Sequence, residues 1–241
     1  MEEIKIFAPA TVANLSCGFD VLGCCLDSVG DEMFLRKNSA NKLRITRIEG
    51  ADLPTDPDQN VAGVAAKALL KKLGSKQGFD IEIYKKIKPG SGLGSSAASA
   101  AGAVFAINKL LDSPFSAAEL VEFAMKGEEL ASGNAHADNV APALLGGFSL
   151  IRSYEPLEVI NLPAPEELKM LVLHPQIEIK TKDSRAILKQ QVSLQKAVSQ
   201  WGNLAALVSA LYTNNYELMS RSLVDGIIEP VRSILIPHFE E

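Results

Sequence analysis

The chain has 241 residues, a length that suits one large domain or two modest ones. Hydrophobic residues make up 47% and charged residues 22%, which is ordinary for a soluble globular protein and excludes a disordered tail, a collagen-like repeat and a coiled coil. The net charge of −5 gives no indication of binding to nucleic acid or to an anionic membrane, and the longest apolar stretch, 97–107, is shorter than the roughly 20 residues that span a bilayer.

Cysteine usage indicates a reducing, cytoplasmic setting. Cys17, Cys24 and Cys25 are odd in number and two of them are adjacent, which is a poor framework for disulfides and matches no zinc-binding spacing. We therefore expect all three to be small, buried apolar groups. The chain begins Met-Glu-Glu-Ile-Lys and has no basic segment followed by an apolar one, so its start does not resemble a secretion signal.

The first part of the chain predicts strands before helices. Asn60 is a candidate N-cap and Gly74 a candidate C′ glycine of the helix between them. Phe79 and Ile81 would share one face of a following strand. In order, the predicted elements are a strand at 3–12, a hairpin over 33–48 that turns at 38–41, a helix at 60–73 and a strand at 79–87.

The second part mixes helices and strands. Pro114 ends an alanine-rich helix near Leu111, and Ser116 forms with Glu119 a capping box that opens the next helix, which runs to about Leu130. The remaining predictions are strands at 148–153, 157–160 and 168–173 and helices at 189–211 and 217–224, separated by Asn214 and Asn215.

The order of these elements predicts an α+β fold. Strands and helices do not alternate regularly, which argues against a doubly wound parallel sheet. The segment from Gly146 to Pro156 is the best place to divide the chain. We expect one domain at 1–150 and a second at 151–241.

A glycine- and serine-rich turn is the most informative segment. It follows a predicted strand and opens a predicted helix, so its free backbone N–H groups and the positive end of the helix dipole favour a phosphate there. Its glycines permit a tight turn and the close approach of a ligand; one serine can coordinate Mg²⁺ while the other donates to a phosphate oxygen. The residues are Pro89, Gly90, Ser91, Gly92, Leu93, Gly94, Ser95, Ser96, Ala97 and Ala98.

Two other phosphate-binding loops do not fit this segment. A Walker A loop requires a lysine before its Ser or Thr, and the turn lacks one. A dinucleotide fingerprint requires a second strand after the helix, ending in an acidic residue about 20 positions on, whereas here Pro114 and another helix follow. A flexible turn capped by serines is the alternative that remains.

The turn resembles the second motif of the GHMP kinases, whose pattern Pro-x-x-x-Gly-Leu-Gly-Ser-Ser-Ala is matched at 89–97 with slightly different spacing after the proline. The resemblance implies a fold of two subdomains, a β-rich ATP-binding one followed by a truncated ferredoxin-like one. It also implies that residues 89–98 wrap the phosphates of ATP and that Ser96 contacts Mg²⁺.

The opening of the chain resembles the homoserine kinase branch of that family over residues 8–23. The resemblance implies that Asn14 and Asp20 bind substrate, and a carboxylate is what the ammonium group of an amino acid needs. Considered alone, both residues would be turn formers.

A second segment, 128–147, resembles the same branch. It implies that Glu128 coordinates Mg²⁺ together with Ser96, and that His136 and Asn139 contact the substrate. A lone Glu128 would be helix surface and a lone His136 structural, but Glu, His, Asp and Asn lie here within 12 residues.

Two arginines complete the resemblance, Arg185 within 181–185 and Arg232 within 228–237. In the family these arginines bind the substrate carboxylate, and a guanidinium fork suits that planar group. Considered singly, each would be a solvated surface charge.

The function that the resemblance implies is transfer of the γ-phosphoryl group of ATP to the side-chain hydroxyl of L-homoserine. Asn139 cannot accept a proton, so Asp138 or the γ-phosphate itself is left as the acceptor. A third Gly-Ser-Gly-Pro motif of the family is missing before the chain ends at Glu241, so we expect a fragment or a shortened protein. A GHMP kinase for another small alcohol, an inactive ligand-binding chain and a homodimer stay open.

Overall fold

The computed structural model describes residues 1–133, 135–173, 177 and 181–239. Its strands are β1 (Glu3–Ala13), β2 (Leu22–Asn38), β3 (Leu43–Glu49), β4 (Gly78–Tyr84), β5 (Phe148–Tyr154) and β6 (Leu157–Leu162). They form one mixed sheet in the order β3-β4-β2-β5-β6, with β1 antiparallel to β2. The long strand β2 organises this sheet, because one end of it pairs with β5 and the other with β4.

The helices confirm several predicted boundaries. Asn60 caps the first by accepting a hydrogen bond from the backbone of Ala62, Gly74 ends it at a φ of 67°, and the capping box of Ser116 and Glu119 is formed. The helices are α1 (Val61–Leu73), α2 (Ser95–Leu110), α3 (Ala117–Ser132), α4 (Val140–Leu145), α5 (Thr181–Ala186), α6 (Leu194–Thr213), α7 (Tyr216–Ser222) and α8 (Glu229–Arg232), followed by a 3₁₀ turn (Ser233–Leu235).

The predicted hairpin over 33–48 is wrong. A turn does separate β2 from β3, but β4 lies between them, antiparallel to β2 and parallel to β3. The inner place goes to β4 because Phe79, Ile81 and Ile83 are all fully buried, whereas β3 is largely solvent-exposed, as an edge strand can be. The prediction of a turn at 38–41 is confirmed, but the strand that pairs with both β2 and β3 is β4, which follows α1 in the chain.

The main core lies between the sheet and a layer formed by α1, α2 and α3. Helix α2 is buried on nearly all sides. Its many alanine side chains are small, so it packs closely against α1, α3 and β1. This packing holds the first turn of α2, and the glycine–serine turn before it, at the edge of the core.

A second, smaller core lies where α6 and α7 meet the sheet. Cys17 and Cys24 are buried in it, as expected, whereas Cys25 is only partly buried, so the expected burial is wrong for that residue; all three are free thiols. Its buried members are Cys17, Leu22, Cys24, Phe148, Leu162, Leu207, Ala210, Leu211 and Met219.

The region after β6 departs from prediction. Residues 168–173 were expected to form a strand but are irregular, and Leu171 and Leu173 are 85% and 81% exposed, because no described strand lies beside them. Helix α6 begins at Leu194 rather than at 189, since Ser193 caps it. The described residues after Leu162 form helices without a strand, so the truncated ferredoxin-like subdomain stays an expectation.

The sheet runs across the expected boundary between residues 150 and 151, because β5 starts at Phe148 and pairs with β2. The division into domains at 1–150 and 151–241 therefore stays a prediction. Among the described helices, none has both the length and the apolar character needed to cross a bilayer.

Candidate active site

The glycine–serine turn connects β4 to α2, as the sequence predicts. Gly90, Gly92 and Gly94 have φ values of 77°, 76° and 64°, in the left-handed region that favours glycine. At Gly94 a Cβ atom would also lie 2.0 Å from Oγ1 of Thr11. Within the described residues no side chain caps α2, so the N–H groups of its first turn point out from the helix uncapped.

Two hydrogen bonds anchor this turn. The backbone N–H of Thr11 donates to the carbonyl of Leu93 at 3.2 Å, and the hydroxyl of Ser95 donates to the carbonyl of Ile87 at 2.8 Å. The sequence left open which serine would donate to a phosphate. Because the hydroxyl of Ser95 is engaged with the backbone, Ser96, whose side chain meets Glu128, is the one of these two that can serve a ligand or a metal.

Thr11 also connects the turn to a third segment. Its hydroxyl donates to Oδ1 of Asn139 at 2.8 Å across 128 residues of sequence, just before α4. The strand that opens the chain, the glycine–serine turn and the segment around Asn139 therefore meet at one point.

Ser96 and Glu128 lie together across the interface between α2 and α3, and their side chains are hydrogen-bonded. Burial raises the pKa of the Glu128 carboxyl above its usual range, while the Ser96 hydroxyl and the charge of Lys85 act in the opposite direction. A hydroxyl and a carboxylate are hard oxygen donors of the kind that Mg²⁺ prefers.

The described residues contain no group of three or more His, Cys, Asp and Glu side chains that could hold a metal. Mg²⁺ bound with a nucleotide takes only one or two protein ligands and completes its shell with phosphates and water. The Ser96–Glu128 pair meets this requirement.

The loop after β1 presents a carboxylate. Asn14 and Asp20 both have positive φ, and Oδ1 of Asn14 accepts a hydrogen bond from the backbone N–H of Asp20 at 3.1 Å. The carbonyl of Asp20 accepts a second one from the hydroxyl of Tyr154 at 2.8 Å. Asn14 and Tyr154 thus fix the backbone of Asp20, and the fixed backbone positions its side chain.

Arg185 donates to Asp20 through the two terminal nitrogens of its guanidinium group, at 3.0 and 2.5 Å. His136 adds its Nδ1 at 3.8 Å from Oδ1 of Asp20. Burial lowers the pKa of His136, and the Asp20 charge partly offsets that effect. Among the described residues, the buried atoms Nε2 of His136 and Nε of Arg185 have no hydrogen-bond partner.

Arg232 reaches the same place from the far end of the chain. It donates to the hydroxyl of Ser184 at 2.6 Å, and its guanidinium lies 5.8 Å from the ring centre of Phe19. Arg185 lies 5.2 Å from that ring. Burial and the charge of Arg185 lower the pKa of Arg232. One aromatic ring therefore contacts two like charges.

Asp138 is buried, and the charges of both Asp20 and Glu128 act on it. Burial, followed by the charge of Asp20, raises the pKa of its carboxyl to about 7, with Glu128 adding to the shift and Arg185 opposing it. A carboxyl with this pKa exists in both protonation states near neutral pH.

Contacts and charge interactions join a group of the predicted residues into this region: Asn14, Asp20, Ser96, Glu128, His136, Asp138, Asn139, Arg185 and Arg232. Sequence reasoning missed Thr11, Phe19, Tyr154 and Ser184, which position the others. Thr11 and Phe19 lie inside the opening motif, and Ser184 lies inside the segment 181–185, so these three could have been noticed there; Tyr154 carried no sequence signal.

Comparisons with known proteins agree with this arrangement. The sequence profile described as the GHMP kinases N terminal domain matches residues 60–147. The homoserine kinase of Chloroherpeton thalassium is 46% identical over 251 aligned residues, which take in 99% of this chain and 79% of that protein. The homoserine kinase of Methanococcus maripaludis is 42% identical over 245, taking in 100% and 80%.

A solved structure matches as well. The crystal structure of homoserine kinase from Cytophaga hutchinsonii superposes with a TM-score of 0.92 at 50% sequence identity, covering 100% of this chain and 77% of that one. In these comparisons the chain spans roughly four fifths of each relative's length.

Proposed function

The chain belongs to the homoserine kinases, a branch of the GHMP kinase family, and it uses ATP to phosphorylate the side-chain hydroxyl of L-homoserine, a step of threonine biosynthesis; from that premise we propose how its residues divide the work. The reaction forms a bond between the substrate oxygen and the γ-phosphorus, breaks the bond from that phosphorus to ADP and releases one proton. Such catalysis rests mainly on positioning and on charge neutralisation, so each role below is one of binding, orientation or proton transfer.

The turn at 89–98 holds the triphosphate of ATP. Support comes from the left-handed glycines, from the uncapped first turn of α2 and from the contact between Gly94 and Thr11, which leaves no room for a side chain. Ser96 and Glu128 would hold Mg²⁺, which when bound neutralises charge on the β- and γ-phosphates.

The amino-acid substrate binds between Asp20 and the two arginines. Its ammonium group pairs with Asp20 and its carboxylate with Arg185 and Arg232. The ion pair between Asp20 and Arg185 need not break, because a zwitterion presents each of them with an opposite charge. Asn14, His136 and Asn139 orient the chain that carries the hydroxyl.

Asp138 receives the proton of that hydroxyl. Support comes from its burial between Asp20 and Glu128, whose charges both act on it, and from its pKa of about 7, which suits a general base at neutral pH. Asn139 next to it is held by Thr11 and cannot accept a proton. Transfer straight to the γ-phosphate is the alternative.

The bidentate contact between Arg185 and Asp20 is the observation that carries the substrate assignment, because it places opposite charges side by side where an amino acid needs both. The test compares L-homoserine with 4-hydroxybutyrate, which lacks the ammonium group, and with mevalonate. We expect kcat/KM to be highest for L-homoserine, since a missing ammonium leaves Asp20 poorly paired. Equal kcat/KM for 4-hydroxybutyrate would refute the role of Asp20, and a preference for mevalonate would refute the substrate.

We further propose that the protein is cytoplasmic and forms a homodimer. Three free cysteines support the first. Light scattering on the purified protein tests the second, for which a monomer at all concentrations would be the contrary result.

A further inference from the structure

Lys85 and Asp31 form a buried ion pair beneath the glycine–serine turn that the reaction described above does not use. Their side chains are 1% and 0% exposed, which is rare for charged groups. Lys85 follows the end of β4 directly, and Asp31 lies in β2. Burying two charges costs more free energy than their attraction returns unless further hydrogen bonds satisfy both groups, so the partners of the pair indicate its purpose.

Asp31 holds the start of the segment that becomes the turn. Its Oδ1 atom accepts hydrogen bonds from the backbone N–H groups of Lys86 at 2.7 Å and Ile87 at 2.9 Å. Its other oxygen accepts from Nζ of Lys85. A carboxylate is thus the acceptor for two consecutive backbone donors at the point where the chain leaves β4.

Lys85 holds the end of the same segment. Its Nζ atom donates to the carbonyl of Ser95 at 2.8 Å and to the hydroxyl of Ser99 at 3.0 Å, both on the first turns of α2. The hydroxyl of Ser95 closes the loop by donating to the carbonyl of Ile87 at 2.8 Å. One ion pair therefore contacts both ends of the chain between residues 86 and 95.

We propose that the Asp31–Lys85 pair is a positioning device for nucleotide binding. It fixes the distance between the two ends of the glycine–serine turn and the direction in which α2 begins, and so it aims Ser96 at Glu128 and the first-turn N–H groups at the phosphates. This inference rests on the proposed binding of the triphosphate at 89–98. Two apolar side chains could fill the same volume, but they would leave the backbone N–H groups of Lys86 and Ile87 without their carboxylate acceptor.

The test is Lys85→Met, which keeps the length of the side chain and removes its charge and donors. Isothermal titration calorimetry measures the Kd of Mg·ATP and, separately, of L-homoserine. We expect the Kd of Mg·ATP to rise at least tenfold, while that of L-homoserine changes less than twofold. A residue that only stabilises the fold would lower the melting temperature and leave the Kd of the folded fraction unchanged.

Arg44→Met is the matched control. Arg44 binds the largely buried Asp80 through two hydrogen bonds, at 2.7 and 3.0 Å, and so the substitution removes a cation from an ion pair near the start of β4, at the opposite end of that strand from the turn. We expect it to cost stability and to leave both dissociation constants unchanged.

Ser99→Ala is a milder second variant, for the case in which Lys85→Met does not fold. It removes one acceptor of Lys85 from a helix already rich in alanine, and we expect the Kd of Mg·ATP to rise about two- to tenfold, the net effect of one hydrogen bond. Unchanged affinity for Mg·ATP in Ser99→Ala, or in folded Lys85→Met, would overturn the proposal.

Gly94→Ala separates this inference from the proposed function. If it loses Mg·ATP binding while Lys85→Met does not, the phosphates are at the turn and the role of the ion pair is refuted. If neither variant loses binding, the phosphates are elsewhere and both proposals fail.

Discussion

Arg185 and Asp20, 165 residues apart, are joined by two parallel hydrogen bonds, one to each oxygen of the carboxylate. Planar guanidinium and carboxylate groups favour this geometry, and here it ties the loop after β1 to the short helix α5. The pair fixes two of the charges that an amino acid would meet. Because Arg185 is already bound to Asp20, Arg232 is the arginine whose charge is less neutralised by the protein.

Arg232→Ala should therefore weaken binding of L-homoserine specifically. Losing one partner of a desolvated charge pair costs about 2–5 kcal/mol, and since Arg232 is half-buried we expect the KM of homoserine to rise about tenfold or more. The KM of ATP should stay within about twofold. Arg221→Ala on α7 is the control, because Arg221 is 69% exposed and, within the described part of the chain, forms an ion pair only with the exposed Glu217. Equal increases in both Michaelis constants would make Arg232 a structural residue.

Phe19→Leu should raise the KM of homoserine through the two arginines. The ring lies 5.2 and 5.8 Å from their guanidinium groups, and a cation–π contact is worth about 0.5–2 kcal/mol, which corresponds to an increase of roughly two- to thirtyfold. Phe19→Tyr keeps the aromatic face and should retain most of the affinity. Phe34→Leu removes a similar contact, with Lys5 at 5.1 Å, and should change neither Michaelis constant. Steady-state kinetics measure both Michaelis constants. If Phe19→Tyr raises the KM of homoserine as much as Phe19→Leu does, the aromatic ring does not act through the two arginines.

Local patterns predicted the parts of this molecule that depend on neighbours in sequence. Caps, the capping box and the connection of strand, turn and helix around Gly94 are all set within a few residues. The hairpin failed because the choice of β4 as the inner strand depends on which strand buries more apolar surface, and not on the turn at 38–41. Contacts such as that of Thr11 with Asn139 join residues 128 apart, and no periodicity in the sequence encodes them.

Gly94→Ala should abolish tight binding of Mg·ATP. The new Cβ atom would meet Oγ1 of Thr11 at 2.0 Å and Oδ1 of Asn139 at 3.0 Å, so the turn must move. Gly74→Ala is the matched control: its φ of 67° is close to the 64° of Gly94, and within the described structure nothing lies within 4 Å of the added atom. Both variants should lose about 1–2 kcal/mol of stability from left-handed strain. Calorimetry with Mg·ATP should separate them, and parental affinity in Gly94→Ala would contradict the phosphate assignment.

Glu128→Gln should shift the Mg²⁺ dependence of the reaction to higher concentration and lower kcat. The amide keeps the shape and one oxygen but loses the negative charge that a hard divalent cation favours. Glu129→Gln, at an exposed neighbour that pairs with Lys126, is the control and should behave as the parent. Titrating Mg²⁺ at saturating ATP measures the effect, and an unchanged curve would remove Glu128 from the metal site.

Compared with the parent, Asp138→Asn should be more stable and should turn over more slowly, and both differences should grow as the pH rises. Burial raises the pKa of Asp138 from 3.8 to about 7, so between those values the folded chain holds a proton that the unfolded chain has lost. The contribution of Asp138 to the free energy of unfolding of the parent therefore falls by about 1.4 kcal/mol per pH unit across this window and is constant above it. Asparagine is always neutral and has no such pH dependence. The melting temperature of the variant minus that of the parent should therefore be larger at pH 8 than at pH 4.

Turnover tests whether the same carboxyl accepts the proton. If it does, kcat of the parent rises with pH to a plateau with an apparent pKa near 7, because only the ionised form is a base. The Asp138→Asn variant should lose that dependence and most of its kcat, while its KM for ATP stays close to that of the parent. A variant that gains stability at pH 8 yet keeps the parental kcat would show that the carboxyl is buried at a cost without serving as the base. The proton would then pass directly to the γ-phosphate, whose oxygens are the remaining acceptors that move with the reacting hydroxyl.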